Sequence, residues 1–550
     1  MPTIAADAAL DRVAARRVLP PILLPCALVA CFAAQCLWFV ATQSLTYDEP
    51  VHVIAGLDAW RRGRFEQWND QPPLGRLLLT APLLLSPADA WTLVDRGPSG
   101  ANYWTVSVGP DPVALAWRTR AVNVALGVLL AVLLWWSARR WCSEGAANLA
   151  LALLACSPAA IAHFSLATVD GVAALLCFAA AIAVVCWRAS PTWRQTAVAG
   201  AALGGLLASK FSAPPIVLLA LALMIASGPA RERRTRTIKT IAAALLAAIV
   251  VWAIYGWHVG PVTFRNGSLS GPYARGNAVV VPTARPLNRT LTLPAPEFVA
   301  ALGGVAQHSV RGQPASFLSE VRRSGGWRSY YLVVVLLKWP MTVWLLAVAA
   351  GALLIMQRVA ASRELLVLLL FPLAFFALAL SSNLDIGDRY VLPVYPFLLL
   401  LGGAAWHATR RWPRARWAIV AIVVVQAADV LRYAPDYLSY MNAFVRPETS
   451  YRLLSDSNLD WGQGLLALRG YERAHPGTPI SLAYFGGVDP RAYGITARRL
   501  DEHDRVHGTV VVSATHLAGQ YLADPAAYRW LLAYPRAAVL DHTLHVFEVP

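Results

Sequence analysis

The sequence predicts a mainly α-helical, polytopic membrane protein with about 11 transmembrane helices, outer re-entrant or juxtamembrane helices, and a small C-terminal α/β domain on the outer face. Three observations predict it. Of 550 residues, 57% are hydrophobic and 14% charged, against about 25% charged in an average soluble domain. Apolar runs return repeatedly between residues 20 and 432. Arginine and lysine gather at alternate ends of these runs, as cytoplasmic loops require. The same balance excludes an ordinary soluble enzyme and a disordered chain. The net charge of +16 would in isolation suggest nucleic acid, but its distribution along the chain assigns it to topology instead.

The first run, Pro20 to Ala41, follows Arg12, Arg16 and Arg17. A signal peptide has a similar basic start, yet this run outlasts the ~7–15 residues of such an apolar core, so it reads as a retained first span. Leu74 to Pro87 is too short to cross and reads as a re-entrant or interfacial helix. Further spans are expected at 113–137, 146–163, 169–187, 196–209, 213–228, 240–257, 330–353, 364–381, 389–406 and 416–432. The stretch 196–228 is interrupted by Ser209-Lys210-Phe211-Ser212. Arg188 and Arg194 precede it, and Arg231, Arg233, Arg234, Arg236 and Lys239 follow it. Two basic flanks on one side require an even number of crossings, hence two helices. With the N-terminus inside, the inner segments also take Arg139, Arg140, Arg358, Arg363, Arg410, Arg411, Arg414 and Arg416, while the short outer turns carry only Lys210 and Arg389.

Residues 1–432 thus form a membrane domain with a first outer loop at 42–112 and a large outer loop at 258–329, and residues 433–550 form an outer soluble α/β domain. In the tail, Ile480 to Phe485, Thr509 to Val512 and Ala538 to Val549 read as strands, and Leu465 to Ala474 and Pro525 to Leu532 as helices. All the cysteines lie in expected spans or at an inner end, so no disulfide staples the outer pieces. The tripeptides starting at Asn266 and Asn288 match the glycosylation pattern, but so short a pattern recurs by chance and carries no weight. The Ala- and Arg-rich composition suits a bacterium of high genomic GC, which would make the membrane the bacterial inner membrane and the outer face periplasmic.

Charges inside or beside the spans share the outer side. Arg118, Asp170, Lys210, Lys338, Asp385, Asp388 and Arg389 join Asp48, Glu49, Asp70 and Arg76 there. Helix ends collect polar groups and long cations snorkel, which accounts for any one of them. As a set they predict a polar bowl open to the outer face, holding carboxylates and cations together. Cations can neutralise a phosphate leaving group, and a carboxylate can take the proton of an attacking hydroxyl. A phosphate on a lipid chain explains why such chemistry would sit among helices. A proton-coupled transporter would instead place its acids near mid-membrane between internal repeats, and neither feature is present.

Ordered blocks then carry a resemblance. Thr46-Tyr47-Asp48-Glu49-Pro50-Val51-His52, Ala55-Gly56 and Gln71-Pro72-Pro73-Leu74-Gly75-Arg76 resemble the first outer loop of the C-type membrane glycosyltransferases, which use polyprenyl-phosphate sugars. This superfamily includes protein O-mannosyltransferases and the aminoarabinose transferases of lipid A. Ala167-Thr168-Val169-Asp170, Gly325 to Tyr331 running into Lys338-Trp339-Pro340, Asp388-Arg389-Tyr390 onward, and Asp456 to Gln463 match further blocks. Two departures stand out: Gln71 occupies the place of a usual His, and Arg76 that of a usual Lys.

The resemblance implies sugar transfer from a polyprenyl-phosphate donor to an acceptor hydroxyl, on protein or glycolipid, with inversion and with Asp48 as base. Glu49 and Asp170 are the accompanying acids, for orienting Asp48 or the acceptor. Arg76, Arg118, Lys338 and Arg389 are the phosphate-binding candidates, and His52, Asp70 and Gln71 are candidates for acceptor and loop contacts. Asp70 and His258 are the residues to which a divalent cation bridging the donor phosphate would bind, but no metal-ligand spacing supports one and no metal is assigned. The aspartates around Asn458 read as an Asx-rich turn that touches the bowl. A lipid flippase and a non-catalytic lipid-binding subunit remain the alternatives from other classes.

Overall fold

A computed structural model describes residues 22–66, 69–86, 92–95, 106–109, 111–265, 268–270, 279–280, 289–355, 363–410 and 412–550. Arg12, Arg16, Arg17, Arg358, Arg411 and the two asparagines of the glycosylation pattern lie outside the described residues. The chain is mainly helical. After α1 (Leu23–Thr42) come two short helices, α2 (Glu49–Arg62) and α3 (Leu74–Thr80), the latter continued by a 3-10 turn to Leu85. A two-stranded hairpin, β1 (Thr92–Asp95) with β2 (Val106–Gly109), leads into α4 (Pro112–Trp141). The start of α4 is fixed locally: Asp111 accepts from Val113 N and Ala114 N at 2.9 and 3.1 Å, and Pro112 takes the first helical position.

The bundle continues with α5 (Glu144–Ala155), α6 (Pro158–Phe164), α7 (Val169–Ala189), α8 (Trp193–Leu207), α9 (Ala213–Ile225) and α10 (Arg233–Ile254). α7 is apolar on all sides and buried over nearly its whole length, whereas α10 turns Ile238, Ile241, Leu245 and Ile249 outward. A helix apolar all round belongs at the centre of a bundle, and α7 carries Asp170 in its first turn. In the loop that follows α10, β3 (Val259–Arg265), β4 (Ser268–Ser270), β5 (Val279–Val280) and β6 (Arg289–Pro294) form an antiparallel sheet in the order β5-β4-β3-β6. The helix α11 (Pro296–Arg311) and the hairpin of β7 (Ala315–Phe317) and β8 (Glu320–Arg322) complete that loop. Then follow α12 (Tyr330–Lys338), α13 (Met341–Ile355), α14 (Arg363–Ser381), α15 (Tyr395–Ala408) and α16 (Pro413–Leu431).

Every expected span coincides with a helix or a bent pair, in order. Among the described residues, 5 helices are long and apolar enough to cross a membrane alone, or up to 7 if each bent pair is one span, against the 11 expected. The segment 196–228 is two helices, α8 and α9, each shorter than the helices able to cross a membrane alone. The expected span 146–163 is broken into α5 and α6, bent by 68°, and 330–353 into α12 and α13, bent by 109°. Pro158 and Pro340 stand at the two breaks, where a missing N–H cannot continue a helix. The span expected from residue 389 becomes helical only at Tyr395, after two 3-10 turns.

The tail carries a mixed five-stranded sheet, β10-β9-β11-β13-β12, from β9 (Ile480–Ala483), β10 (Arg498–Arg499), β11 (Gly508–Ser513), β12 (Arg536–Leu540) and β13 (Leu544–Val549). β9 runs parallel to β10 and β11, and β13 antiparallel to β11 and β12. Its helices are α17 (Leu465–Ala474), which matches the expectation, and the single turn α18 (Ala514–Leu517). The strand expected over 538–549 is a hairpin, because Asp541 and His542 adopt left-handed φ values of 50° and 57°. The helix expected over 525–532 shortens to a 3-10 turn, Arg529–Ala533. The tail is stitched to the bundle by the extended stretch after α1: Ser44 N donates to Gln463 O at 2.9 Å and Tyr47 N to Trp461 O at 2.8 Å.

Candidate active site

Close helix approach brings the motif residues together. A Cβ on Gly56 of α2 would lie 2.6 Å from Thr80 Oγ1 and 2.7 Å from the Arg76 carbonyl of α3. One on Gly75 would lie 2.8 Å from Val169 at the head of α7. Only glycine lets α2 rest on α3 and α3 on α7, and the result is that Asp48, His52 and Asp170 line one cavity of about 530 Å³. Lys210, from the turn between α8 and α9, and Arg389, from the 3-10 turn before α15, complete its polar half together with Asp70 and Gln71. Phe211 of the α8–α9 turn, Pro214 and Pro215 in the first turn of α9, Leu302, Val305 and Ala306 of α11, and Leu378 of α14 form an apolar half.

The charges are paired across the polar half. Arg389 Nη1 donates to Asp48 Oδ2 at 2.5 Å, and its guanidinium lies 4.3 Å over the Trp461 ring. Lys210 Nζ donates to Asp170 Oδ1 at 2.7 Å. Asp48 is 28% exposed at the side chain, so its carboxylate faces the cavity. Burial raises its pKa above the ordinary 3.8 and Arg389 only partly opposes this. His52 is buried next to the Arg76 guanidinium, and burial first, the cation second, push it down to about 3. It is therefore neutral near pH 7, and its Nδ1 accepts from Arg76 Nε at 3.1 Å.

Several expected site residues are placed elsewhere. Glu49 does not reach the cavity: its two oxygens accept from Arg120 Nε and Nη2 at 2.8 and 2.7 Å, from Thr46 N at 2.7 Å and from Ala167 N at 2.6 Å. Burial would raise its pKa, but Arg120 and these donors hold it below the usual range. Arg76 stands behind the cavity wall, buried, bonding His52 and donating to Asp70 Oδ1 at 2.7 Å. Arg118 is exposed and donates to Ser86 Oγ at 2.5 Å, away from the cavity. Lys338 is buried and gives its ammonium to the carbonyls of Leu438 and Asn458, at 2.7 and 2.6 Å. It ties the bundle to the tail and is not part of the cavity lining.

Other residues hold the site that motif reading did not assign. Arg120 is wholly buried and also donates to the carbonyls of Gln43 and Ser44 at 2.7 Å each, so it fixes the stretch that leads to Asp48. His163 Nε2 lies 3.2 Å from Asp388 Oδ1 in a buried pair directly before Arg389. The aspartate-rich turn does touch the bowl: Asn458 Oδ1 accepts from Asp388 N at 3.1 Å, and Trp461 stacks on Arg389. Asp70 and His258 do not converge on a cation, since Asp70 faces Arg76 and His258 Nδ1 lies 2.7 Å from Glu297. No group of three or more His, Cys, Asp or Glu able to hold a metal occurs among the described residues.

Residues 114–257 match the family model described as dolichyl-phosphate-mannose-protein mannosyltransferase. No curated protein matches the chain. Among solved structures, ArnT from Cupriavidus metallidurans bound to undecaprenyl phosphate is similar at 14% identity and a TM-score of 0.48, over 96% of this chain and 97% of that one. The S. cerevisiae protein O-mannosyltransferase Pmt1-Pmt2 complex bound to the sugar donor gives 11% and 0.46, over 74% and 88%. The Archaeoglobus fulgidus oligosaccharyltransferase in the apo form gives 11% and 0.41, over 92% and 72%. The family match falls on α4 to α10 and contains one of the ordered blocks, Ala167-Thr168-Val169-Asp170; over these residues the chain resembles the protein mannosyltransferases among the C-type membrane glycosyltransferases.

Proposed function

We propose that this relative of the C-type membrane glycosyltransferases moves a single sugar from a polyprenyl phosphate to an acceptor hydroxyl, on a protein or a glycolipid, at the outer face of the membrane. The observation that carries the reading is the partly exposed Asp48 paired with Arg389 inside a cavity that is ionic on one side and apolar on the other. That division suits a phosphate headgroup with a hydrocarbon tail. In this reading all the expected segments cross the bilayer, with the N-terminus inside, and the membrane is a bacterial inner membrane with the cavity and tail on the periplasmic side.

The donor phosphate enters beside Lys210 and Arg389. Nη1 of Arg389 holds Asp48 and Nε holds the Ile386 carbonyl at 3.1 Å, which leaves Nη2 to the phosphate. Asp48 takes the proton of the acceptor hydroxyl, whose oxygen attacks the anomeric carbon from the face opposite the phosphate. The bond from that carbon to the phosphate oxygen breaks, its electron pair stays with the polyprenyl phosphate, and the configuration inverts. Lys210 and Arg389 meet the charge gathering on the leaving oxygen. Asp170 holds the Lys210 ammonium at the cavity wall, and neutral His52 orients the Arg76 behind it.

Transfer from a panel of radiolabelled polyprenyl-phosphate sugars by purified protein in bilayers tests this. Wild type is expected to use at least one donor, and Asp48→Asn to bind that donor without transferring its sugar. Undiminished transfer by Asp48→Asn would overturn the assignment of the base.

A further inference from the structure

A second concave site lies outside the catalytic cavity. It is a groove of about 290 Å³ where the β7–β8 hairpin of the large outer loop meets the tail. Ser316 and Ser319 come from the hairpin, Tyr451 and Arg452 from a 3-10 turn, Leu517 from α18 and Arg529 from another 3-10 turn. The seam is continuous, because Phe317 of β7 pairs with Leu454 as a β-bridge.

Its charge is of one sign. No acidic residue lines the groove, in contrast to the catalytic cavity with its three aspartates. Arg452 and Arg529 are both exposed, and neither has an acidic partner within ion-pair distance among the described residues. Arg452 is nonetheless held in place: its guanidinium lies 5.8 Å over the buried Tyr451 ring, Nε approaches Tyr451 Oη at 3.4 Å, and Ser319 Oγ donates to its carbonyl at 3.1 Å. A fixed guanidinium beside a free one is a donor set for a tetrahedral or planar anion.

The groove communicates with the catalytic centre through few residues. Ser316 N donates to Gln520 Oε1 at 3.0 Å, and Gln520 Nε2 to Asp456 Oδ2 at 3.3 Å. The Asp456 carboxylate in turn is close enough to act electrostatically on both Asp48 and Arg389. We propose that the groove binds an anionic group, phosphate or carboxylate, carried by a saccharide acceptor whose reacting hydroxyl lies at Asp48. This inference rests on the glycosyl-transfer reading for the identity of its ligand, while the anion site itself is testable without turnover.

The test uses the full-length protein in phosphatidylcholine nanodiscs, with the catalytic cavity first saturated with undecaprenyl phosphate. Glucose 6-phosphate and glucuronic acid are titrated against glucose as the neutral control. The anionic sugars are expected to bind about tenfold more tightly than glucose, and the difference to shrink as salt is raised. In R452Q/R529Q the difference is expected to vanish while undecaprenyl phosphate affinity and the melting temperature stay at wild-type values, since both side chains are exposed. Equal binding of charged and neutral sugars, or a preference that survives R452Q/R529Q, would overturn the site. Failure of sugar transfer in the donor panel with the anion preference intact would remove the glycosyl-transfer reading alone, and the reverse pattern would remove only the groove.

Discussion

Asp48 and Glu49 are neighbours in sequence with opposite fates, and the difference is one of hydrogen bonds. Glu49 has spent both oxygens on Arg120, Thr46 and Ala167, so it has no lone pair to offer a substrate, whereas Asp48 has one partner and an open side. Asp48→Asn is therefore expected to lower turnover by about 10²–10⁴ fold with donor affinity retained in a binding assay. Its raised pKa places the acid limb of kcat/KM above the ordinary 3.8, with activity rising as pH rises and Asp48 loses its proton. Glu49→Gln leaves the wholly buried Arg120 without its anion, a loss of about 3–5 kcal/mol, to be read as a drop in melting temperature. Arg118→Ala is expected to leave transfer within about twofold of wild type, because its guanidinium contacts Ser86 at the surface. Which arginine of α4 turns inward was not legible in the sequence. Arg118 and Arg120 differ by about 200° around the helix, and a membrane helix with apolar residues on every side gives no stripe to orient them.

At the scale of elements, the spacing of apolar runs was legible because hydrocarbon thickness sets it, and each expected span is found as a helix or bent pair. What hydropathy does not encode is where a run bends. The break at Pro340 brings Lys338 to the carbonyls of the tail, a role that a straight span would have denied it. In the tail, alternation marked residues 538–549 as β, but not the left-handed turn at Asp541 and His542 that folds them into a hairpin. The glycines of the first outer motif are packing devices, and this gives a prediction at the same scale. Gly56→Ala forces a methyl to within 2.6 Å of Thr80 Oγ1 and 2.7 Å of a backbone oxygen. Overpacking of this kind costs about 1–3 kcal/mol. Because α2 and α3 must part, His52 and Asp48 shift against Asp170, so KM for the donor is expected to rise together with the loss of stability. A variant with lowered melting temperature and unchanged KM would show that the contact only supports the fold.

For the whole molecule, the decisive contact is between the tail and the end of the bundle that holds the cavity. Trp461 sits under Arg389, and residues 461–463 are hydrogen-bonded to the strand-like stretch that delivers Asp48, so the geometry of the cavity depends on docking of a tail whose composition is that of a soluble protein. One docking contact is sensitive to pH. Gln43 Nε2, just after α1, donates to Asp541 Oδ2 at 2.9 Å. Burial first, and the Asp436 carboxylate second, raise the Asp541 pKa above its ordinary 3.8. His542, with Nδ1 3.7 Å from Asp436 Oδ2, offsets part of that repulsion. Between the ordinary and the raised value the folded protein holds more protons than the unfolded chain, so this group's contribution to stability falls as pH rises, by up to about 1.4 kcal/mol per pH unit. Asp541→Asn keeps an oxygen for Gln43 and removes the charge. Its melting temperature is expected to exceed that of wild type at about pH 8 and to converge with it only as pH falls toward the ordinary 3.8, measured on the full chain in bilayers. Equal melting temperatures at both ends would mean that the carboxylate is fully solvated there, and that the tail is held by its uncharged contacts and by Lys338.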